Sequence, residues 1–158
     1  MKIIVFANQK GGAGKTTLAG HLAVQADQEG LGPVVLMDSD PQGSLSGWWN
    51  DRESETPFFK AAELSNLAEQ LEEMKQAGVK LVVIDTPPAV TDTIRTVIAM
   101  ADLVVIPSRP SPHDLRAVRS TVELVEKVEK PMVFVINGAA QRAKITAAAH
   151  YFLQQHPR

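Results

Sequence analysis

A run of eight residues near the N-terminus combines side chains that could bind phosphate and metal. It contains three glycines, two lysines and two threonines, in the order Lys10-Gly11-Gly12-Ala13-Gly14-Lys15-Thr16-Thr17. Glycines allow a backbone to bend tightly with its amide hydrogens pointing inward, an arrangement that suits a bound polyphosphate. In such a bend Lys15 would reach the β- and γ-phosphates of a nucleotide, the Thr16 hydroxyl would bind Mg²⁺, and Thr17 would donate to the α-phosphate. The spacing therefore predicts a site for a magnesium-bound nucleotide.

The neighbouring residues predict a strand before this run and a helix after it. The apolar run 3–7 is short and rich in β-branched residues, as a buried parallel strand is. Leu18, Leu22 and Ala26 lie on one face of a helix that Gly30 would end. The N-terminus of that helix carries partial positive charge and favours phosphate. The alternative is a glycine-rich turn with solvated lysines, and the flanking strand and helix argue against it.

Three carboxylates follow apolar strands and could take part in the same chemistry. Asp85 ends the apolar run 81–84, and Asp38 and Asp40 follow the run 34–37. Phosphoryl transfer needs a metal that bridges the β- and γ-oxygens, and Mg²⁺ keeps several of its waters when it binds. Asp85 would hold one of those waters. The alternative for each carboxylate is an acidic residue that only forms a turn at the end of a strand.

Apolar runs and helical patterns alternate along the whole chain. Five runs have the length and composition of buried strands, and they cover 3–7, 34–37, 81–84, 103–106 and 133–136. Amphipathic helical patterns separate most of them, whereas the stretch 42–59 is irregular. The alternation predicts an α/β fold with three layers, α/β/α, around a mainly parallel sheet. Ligands of such sheets bind at the carboxyl ends of the strands, where the glycine-rich run and the aspartates would meet.

The composition is that of an ordinary folded domain. A length of 158 residues, 44% hydrophobic and 22% charged, predicts one domain over 1–158. A net charge of −2 gives no overall basic signature for nucleic acid. This chain has no cysteine, which excludes disulfides, thiolate metal sites and cysteine nucleophiles from it. No apolar run approaches the roughly 20 residues that span a bilayer, so we expect a cytoplasmic protein without a membrane partner.

The glycine-rich run departs from the usual P-loop pattern at its first position. Gln9 stands where the first glycine is usual, and a second lysine, Lys10, follows it. This pattern resembles the deviant Walker A box of the ParA/MinD family of ATPases, which has the P-loop NTPase fold. Three further segments resemble the first switch, the second switch and the proline-containing loop of that family, and they are 38–43, 85–88 and 107–112. The resemblance is greatest for small ParA proteins that partition plasmids or chromosomes.

The resemblance implies a role for each candidate residue, with ATP and Mg²⁺ as the bound groups. Lys10 would cross a dimer interface to the partner's nucleotide and, with Lys15, neutralise charge on the transferred phosphoryl group. Asp40 would lie near Mg²⁺ and orient the attacking water. Pro107 would border the adenine and Asn137 would contact it. The alternatives for these two are a rigid connector and an Asn-Gly turn.

The resemblance also implies partners. Proteins of this family form ATP-dependent homodimers, a centromere-binding or adaptor protein stimulates their hydrolysis, and the dimer binds non-specific DNA. Family members continue beyond the last predicted helix, at about 143–155, into a strand and helices that contribute to adenine and DNA contacts. We therefore expect a fold that is shortened at the C-terminus and DNA binding by a full-length member rather than by this chain. No glutamate or glutamine stands out as a general base, which predicts slow hydrolysis.

Two other functions are compatible with the same residues. A small-molecule ligase of the dethiobiotin synthetase type shares the P-loop architecture, but it needs a substrate pocket near the γ-phosphate. A module that holds nucleotide without turnover is the other alternative. ATP-dependent dimerisation would distinguish the partition ATPase from the ligase, and steady-state phosphate release would distinguish it from the binding module.

Overall fold

The computed structural model describes residues 1–89 and 91–156. Within these residues a six-stranded sheet has the strand order β3-β2-β4-β1-β5-β6. The strands are β1 Lys2–Phe6, β2 Val34–Asp38, β3 Phe58–Ala61, β4 Leu81–Asp85, β5 Leu103–Ser108 and β6 Met132–Ile136. The helices are α1 Lys15–Gln28, α2 Ser44–Asn50, α3 Leu67–Gln76, α4 Asp92–Ala99, α5 Pro112–Lys127 and α6 Lys144–Leu153.

Every strand pairing in this sheet is parallel, and helices pack on both faces. The α/β class, the three layers and the parallel sheet predicted from the alternating pattern are thereby confirmed. Parallel strands need crossover helices between them, which is why strands and helices alternate in the sequence. The five predicted strands are all present, each within a residue or two of the predicted bounds.

Two apolar clusters fill the spaces between the sheet and its helices. Within β4, Val82 and Ile84 face the cluster that includes α3, α4 and α5, whereas Leu81 and Val83 face the cluster that includes α1. Burying an aliphatic side chain of this size stabilises a fold by about 1.5–3 kcal/mol. Because β4 is buried on both faces, its carboxyl end is a rigid platform for Asp85.

The stretch 42–59, predicted to be irregular, contains helix α2 and the start of strand β3. α2 has only seven residues and begins after Gly43. The φ of Gly43 is 65°, in the left-handed region that glycine adopts without strain. β3 has no alternating pattern, and it becomes a strand because Phe58 to Ala61 pair with β2. Neither element has a periodicity of its own, so the prediction was wrong where tertiary contacts decide the conformation.

Strand β5 also extends two residues further than predicted. Pro107 lies within the strand, opposite Val135 of β6, rather than in the connection that follows. The predicted proline-containing loop is therefore reduced to the short connection 109–111 before α5. Among the described residues, no helix combines the length and the apolar character needed to cross a membrane.

Candidate nucleotide site

The carboxyl ends of the central strands bring the predicted site residues to one edge of the sheet. Phe6 of β1 is the register partner of Asp85, which in turn is the partner of Asp38 on β2. The loop that follows β1 therefore starts beside Asp85. The glycine-rich run and the aspartates meet there, at the edge where ligands of parallel sheets bind.

The loop between β1 and α1 bends through two glycines with positive φ. Gly12 has a φ of 73° and Gly14 a φ of 102°, which L side chains rarely adopt. A Cβ atom on Gly14 would also collide with the side-chain amide of Asn137. α1 begins at the next residue, Lys15, so the unpaired amides of its first turn face the loop. This geometry suits an anion, because the helix N-terminus carries partial positive charge.

Lys15 is a buried ammonium group at the start of α1, with only 6% of the residue exposed. Its Nζ lies 3.5 Å from the carbonyl oxygen of Lys10. Burial lowers the pKa of Lys15 because the charged form loses its solvation, and the charges of Asp85 and Asp40 oppose that shift. Phosphate oxygens would replace the lost solvation, so the site favours a polyanionic ligand.

Thr16 and Asp85, the two residues predicted to hold Mg²⁺ and one of its waters, are joined by a hydrogen bond. The Thr16 hydroxyl donates to Oδ2 of Asp85 at 2.6 Å. Burial raises the pKa of Asp85 to about 6, against the opposing effects of the Thr16 hydrogen bond and the Lys15 charge. A carboxylate that is costly to ionise when alone gains most from a nearby cation.

The second oxygen of Asp85 shows how a magnesium ion would fit. Oδ1 is buried and has no hydrogen-bond partner among the described residues. A buried acceptor without a partner costs about 1–3 kcal/mol, and a metal-bound water would satisfy it. The Thr16 hydroxyl and the Asp85 carboxylate are oxygen ligands of the kind that Mg²⁺ prefers, and Mg²⁺ commonly keeps waters between itself and a protein carboxylate. The donor set is compatible with the ion.

Asp38 holds the backbone of the loop that carries Asp40. Oδ1 of Asp38 accepts from the Asp40 amide at 2.9 Å, and its Oδ2 accepts from the Ser46 amide at 3.2 Å. The half-buried Asp40 side chain accepts from the amide of Gln42 at 2.9 Å. Asp40 is close enough for its charge to raise the pKa of Lys15 and of Asp85. The structure thus places Asp40 beside the predicted phosphate and metal groups.

A cavity of about 280 Å³ lies over the loop and the start of α1. It is lined by Gly12, Gly14, Lys15, Thr16, Thr17, Arg109 and Asn137. Arg109 was not predicted as a site residue, although its place directly after β5 at the carboxyl edge was a usable signal. Two larger cavities, of about 650 and 750 Å³, lie beside β6 and are lined mainly by apolar side chains. Of these three cavities, all lined by residues that the structure describes, the small one is surrounded by the groups that could bind phosphate.

Asn137 and Pro107 both support the loop in this structure. The Asn137 side-chain amide donates to the carbonyl of Ala13 at 3.0 Å, and the Pro107 carbonyl accepts from the Asn8 side chain at 2.6 Å. The predicted adenine contacts of these residues stay predictions. Asn8 is a buried residue that sequence reasoning missed, since a lone asparagine after a strand carries no distinctive signal.

Lys10 extends away from the loop toward the first turn of α5. Its Nζ lies 3.4 Å from Oδ2 of Asp114, whose side chain is almost fully buried. Ser111 caps α5 by accepting from the Asp114 amide at 3.1 Å. Asp114 was not predicted as a site residue, although the Ser-x-x-Asp spacing of a helix start was visible in the sequence.

Comparison with known proteins assigns this arrangement to a family. Residues 4–153 match the family model described as the CobQ/CobB/MinD/ParA nucleotide-binding domain. The chain belongs to this family. The ParA/MinD resemblance noted in the glycine-rich run is thereby confirmed, and the ParA/MinD members of the family are ATPases.

Relatives of this CobQ/CobB/MinD/ParA domain include a protein named for the maintenance of carboxysome distribution. The maintenance of carboxysome distribution protein A of Gloeobacter kilaueensis is 41% identical over 124 residues, which cover 77% of this chain. That match spans only 55% of the length of the relative. A relative of greater length can hold activities and partners beyond those of the matched part.

Two solved structures show the same fold at low sequence identity. A plasmid partition protein from Borrelia burgdorferi has a TM-score of 0.75 and 20% identity, covering 99% of this chain and 86% of that one. The cobyrinic acid a,c-diamide synthase of Mycobacterium smegmatis, with bound ADP and magnesium, has a TM-score of 0.80 and 16% identity, covering 99% and 82%. Both likenesses establish the fold and leave the reaction open.

Proposed function

We propose that this chain binds Mg-ATP in the 280 Å³ cavity, forms an ATP-dependent homodimer and slowly hydrolyses the nucleotide to position DNA or another cellular cargo. The observation that carries the proposal is the buried Lys15 beside the Thr16–Asp85 hydrogen bond, at the N-terminus of α1. The identity with a carboxysome-distribution protein favours positioning over other uses of the fold.

In the proposed reaction the chain's residues bind, orient and stabilise. The amides of the loop and Lys15 hold the β- and γ-phosphates, and the Thr16 hydroxyl with Asp85 holds the magnesium ion and its water. A bound magnesium ion would supply positive charge that neutralises the phosphate oxygens. Asp40 orients the attacking water, while Lys10 reaches the nucleotide of the second subunit.

Slow turnover is part of the same proposal. In the described chain, the acidic groups near Lys15 are Asp85 and Asp40, and Asp85 is already bonded to Thr16. Asp40 is therefore the group available to orient water, and it also accepts from the Gln42 amide. A site with so little general-base assistance suits a switch whose ATP-bound state persists until an adaptor protein stimulates hydrolysis.

Sedimentation velocity with and without Mg-ATP tests this proposal. We expect a monomer without nucleotide and a dimer with Mg-ATP, and we expect Lys10→Ala to remain monomeric. Lys2→Ala is the matched control, because Lys2 also pairs with an aspartate, Asp102, but lies at the other end of the sheet. A wild-type protein that stays monomeric with saturating Mg-ATP would contradict the dimer.

Phosphate release from the same samples separates hydrolysis from simple binding. Turnover that is measurable and lost with Lys15→Ala supports an ATPase, whereas tight binding without release supports a nucleotide-binding module. The ligase alternative is favoured by the fold likeness to a diamide synthase, but at 16% identity that likeness leaves the reaction open. An adaptor protein that stimulates hydrolysis and a cytoplasmic location belong to the same proposal, whereas DNA binding is proposed for family members of greater length.

A further inference from the structure

The loop between β1 and α1, residues 7–14, is called the phosphate loop. Three residues near its start are bound to α5 and to the end of β5. Asn8 donates to the carbonyl of Pro107 at 2.6 Å, and the Gln9 amide donates to the Thr121 hydroxyl at 3.3 Å. Lys10 completes the set through its ion pair with Asp114. Three consecutive residues thus contact either the end of β5 or helix α5. These contacts fix the direction in which the Lys10 side chain leaves the backbone.

Asp114 is the fixed member of that ion pair. Its side chain is 7% exposed, whereas that of Lys10 is 38% exposed. The carboxylate also accepts a hydrogen bond from the Ser111 hydroxyl and lies in the first turn of α5, where the helix dipole favours a negative charge. A buried carboxylate held in this way stays in place, so any movement of the pair must be a movement of Lys10.

The position of the ammonium group matters because Lys10 is only five residues from Lys15 and belongs to the same loop. The charges of a bound polyphosphate would attract both lysines of the chain that holds it. The carboxylate of Asp114 competes for Lys10 and keeps its ammonium group at the surface beside α5. From there it can approach a nucleotide outside its own chain.

We propose that Asp114 is the positioning residue of Lys10: its buried carboxylate withholds the lysine from the chain's own phosphate loop and presents it to the nucleotide of a second subunit. The inference rests on the proposed ATP-dependent dimer and adds the group that directs Lys10 toward it. Asp114 acts through Lys10 and does not touch the nucleotide.

The alternative role of Asp114 is to stabilise the start of α5 only. Ser111→Ala separates the two roles, because it removes the capping hydroxyl and its hydrogen bond to Asp114 but keeps the charged carboxylate as the partner of Lys10. Asp102→Asn is a second control, since Asp102 binds one lysine and one backbone amide, those of Lys2 and Ile3, far from the loop. Both variants remove a polar contact of similar kind without removing the partner of Lys10.

The first measurement uses the nucleotide-free protein. Limited acetylation followed by peptide mass spectrometry reports how readily the Lys10 amine reacts. We expect Asp114→Asn to increase the Lys10 rate about two- to fivefold, the range that corresponds to losing a partly exposed ion pair. We expect a smaller increase with Ser111→Ala, which keeps the carboxylate, and no change with Asp102→Asn. An unchanged Lys10 rate in Asp114→Asn would overturn the proposal, provided that circular dichroism shows a folded protein.

The second measurement separates nucleotide binding from dimerisation. For Asp114→Asn we expect the affinity of the monomer for Mg-ATP to stay the same or rise, because Lys10 can now approach its own nucleotide. We expect the ATP-dependent dimer to dissociate about two- to fivefold more readily. A parallel loss of both affinities, or the same loss of dimer in Ser111→Ala, would identify a merely structural role and overturn the proposal.

Failure of the dimer itself has a different signature. If the wild-type protein does not dimerise with Mg-ATP, the proposed function fails, and the acetylation rate in Asp114→Asn still decides whether Asp114 positions Lys10. If the wild type dimerises and the Asp114→Asn dimer is as stable as that of Asp102→Asn, the proposed function stands and the role of Asp114 is wrong.

Discussion

At the scale of single residues, Asp85 shows a conflict between the stability of the nucleotide-free fold and ligand binding. Its carboxylate is 1% exposed, accepts from Thr16 and leaves Oδ1 without a partner in the described chain. Ionising such a group costs free energy unless a cation is present. Without a cation, we therefore expect the ionised carboxylate of Asp85 to lower the stability of the fold. With a bound cation, we expect the same carboxylate to raise it.

The pH dependence of unfolding tests this interpretation of Asp85. Its folded pKa of about 6 lies above the unfolded value of 3.8, so the folded state binds the proton more tightly. The corresponding stability is present below the unfolded pKa and is lost as the pH rises through about 6. Urea unfolding without nucleotide or Mg²⁺ should show Asp85→Asn gaining on the wild type between pH 4 and 7, by up to about 3 kcal/mol.

Asp102 provides the matched control for that experiment. Partial burial acts to raise its pKa, but the hydrogen bonds from the Ile3 amide and the Lys2 ammonium outweigh burial and lower the pKa. Asp102→Asn should therefore lose stability relative to the wild type as the pH rises from acid. Equal pH profiles for the wild type and Asp85→Asn would show that Asp85 is not perturbed by burial.

Asp40 belongs to the same scale, because its two functions use different atoms. The backbone amide binds Asp38, whereas the carboxylate would orient water. Asp40→Ala keeps the amide, so we expect a folded protein that binds Mg-ATP and remains in the ATP-bound form, with phosphate release slowed about 100-fold or more. Asp51→Ala, at an exposed position beyond α2, is the control. Unchanged turnover in Asp40→Ala would remove its proposed role.

At the scale of elements, the packing of α2 against α1 depends on a glycine in the middle of a helix. Gly20 is buried in α1, and a Cβ atom there would lie 2.9 Å from Cζ3 of the Trp48 ring. Trp48 also lies near His21, with the ring centroids 6.2 Å apart, and near the guanidinium of Arg52, 5.3 Å from the ring centre. Moving the ring away from a Cβ at position 20 would disturb these contacts, so the neighbouring helix rather than the backbone of α1 favours glycine here.

Gly20→Ala should destabilise the protein although alanine favours a helix. Helix propensity alone would stabilise the variant by up to about 1 kcal/mol, but displacing the indole ring should outweigh it and give a net loss of about 1–2 kcal/mol. Gly47→Ala is the control, because a Cβ at Gly47 in α2 meets nothing within 4 Å, and it should be stabilising. Thermal unfolding of both variants, and of Gly20→Ala with Trp48→Phe, would measure the clash. A Gly20→Ala variant as stable as Gly47→Ala would contradict it.

At the scale of the whole molecule, the parallel sheet decides which distant segments share a site. Asp85 lies 69 positions from Thr16, and Asn137 lies 124 positions from Ala13, yet each pair is joined by a hydrogen bond. Ligand binding at such a site couples α1, β4 and β6. A bound nucleotide should therefore stabilise the fold as one unit.

Thermal unfolding with and without ligand measures that coupling. Mg-ATP at about 100 times its dissociation constant should add about 2.7 kcal/mol, which corresponds to a rise in Tm of roughly 5–10 °C. Chelating Mg²⁺ should reduce the rise, and Thr16→Ala should make the rise insensitive to Mg²⁺. A Tm that is the same with and without Mg-ATP, in a folded sample, would contradict nucleotide binding.

The sequence alone was sufficient to predict the glycine-rich bend between β1 and α1, the five strand runs and the family. These features are local, since a glycine-rich bend between a strand and a helix and a short apolar run are each written in consecutive residues. The three-layer fold followed from the alternation of such segments. Lys15, Thr16 and Asp85 were predicted correctly as neighbours because the carboxyl ends of parallel strands meet at one edge.

Only the tertiary structure decided what depends on contacts between distant residues. The stretch 42–59 forms α2 because Trp48 packs on α1, and it forms the start of β3 because Phe58 to Ala61 pair with β2. Asp114 became a partner of Lys10 because α5 starts beside the loop. Neither contact follows from a period or a spacing along the chain. Lys10 and Asp114 are 104 positions apart in the sequence, so the contact between them and its free energy exist only once the chain has folded.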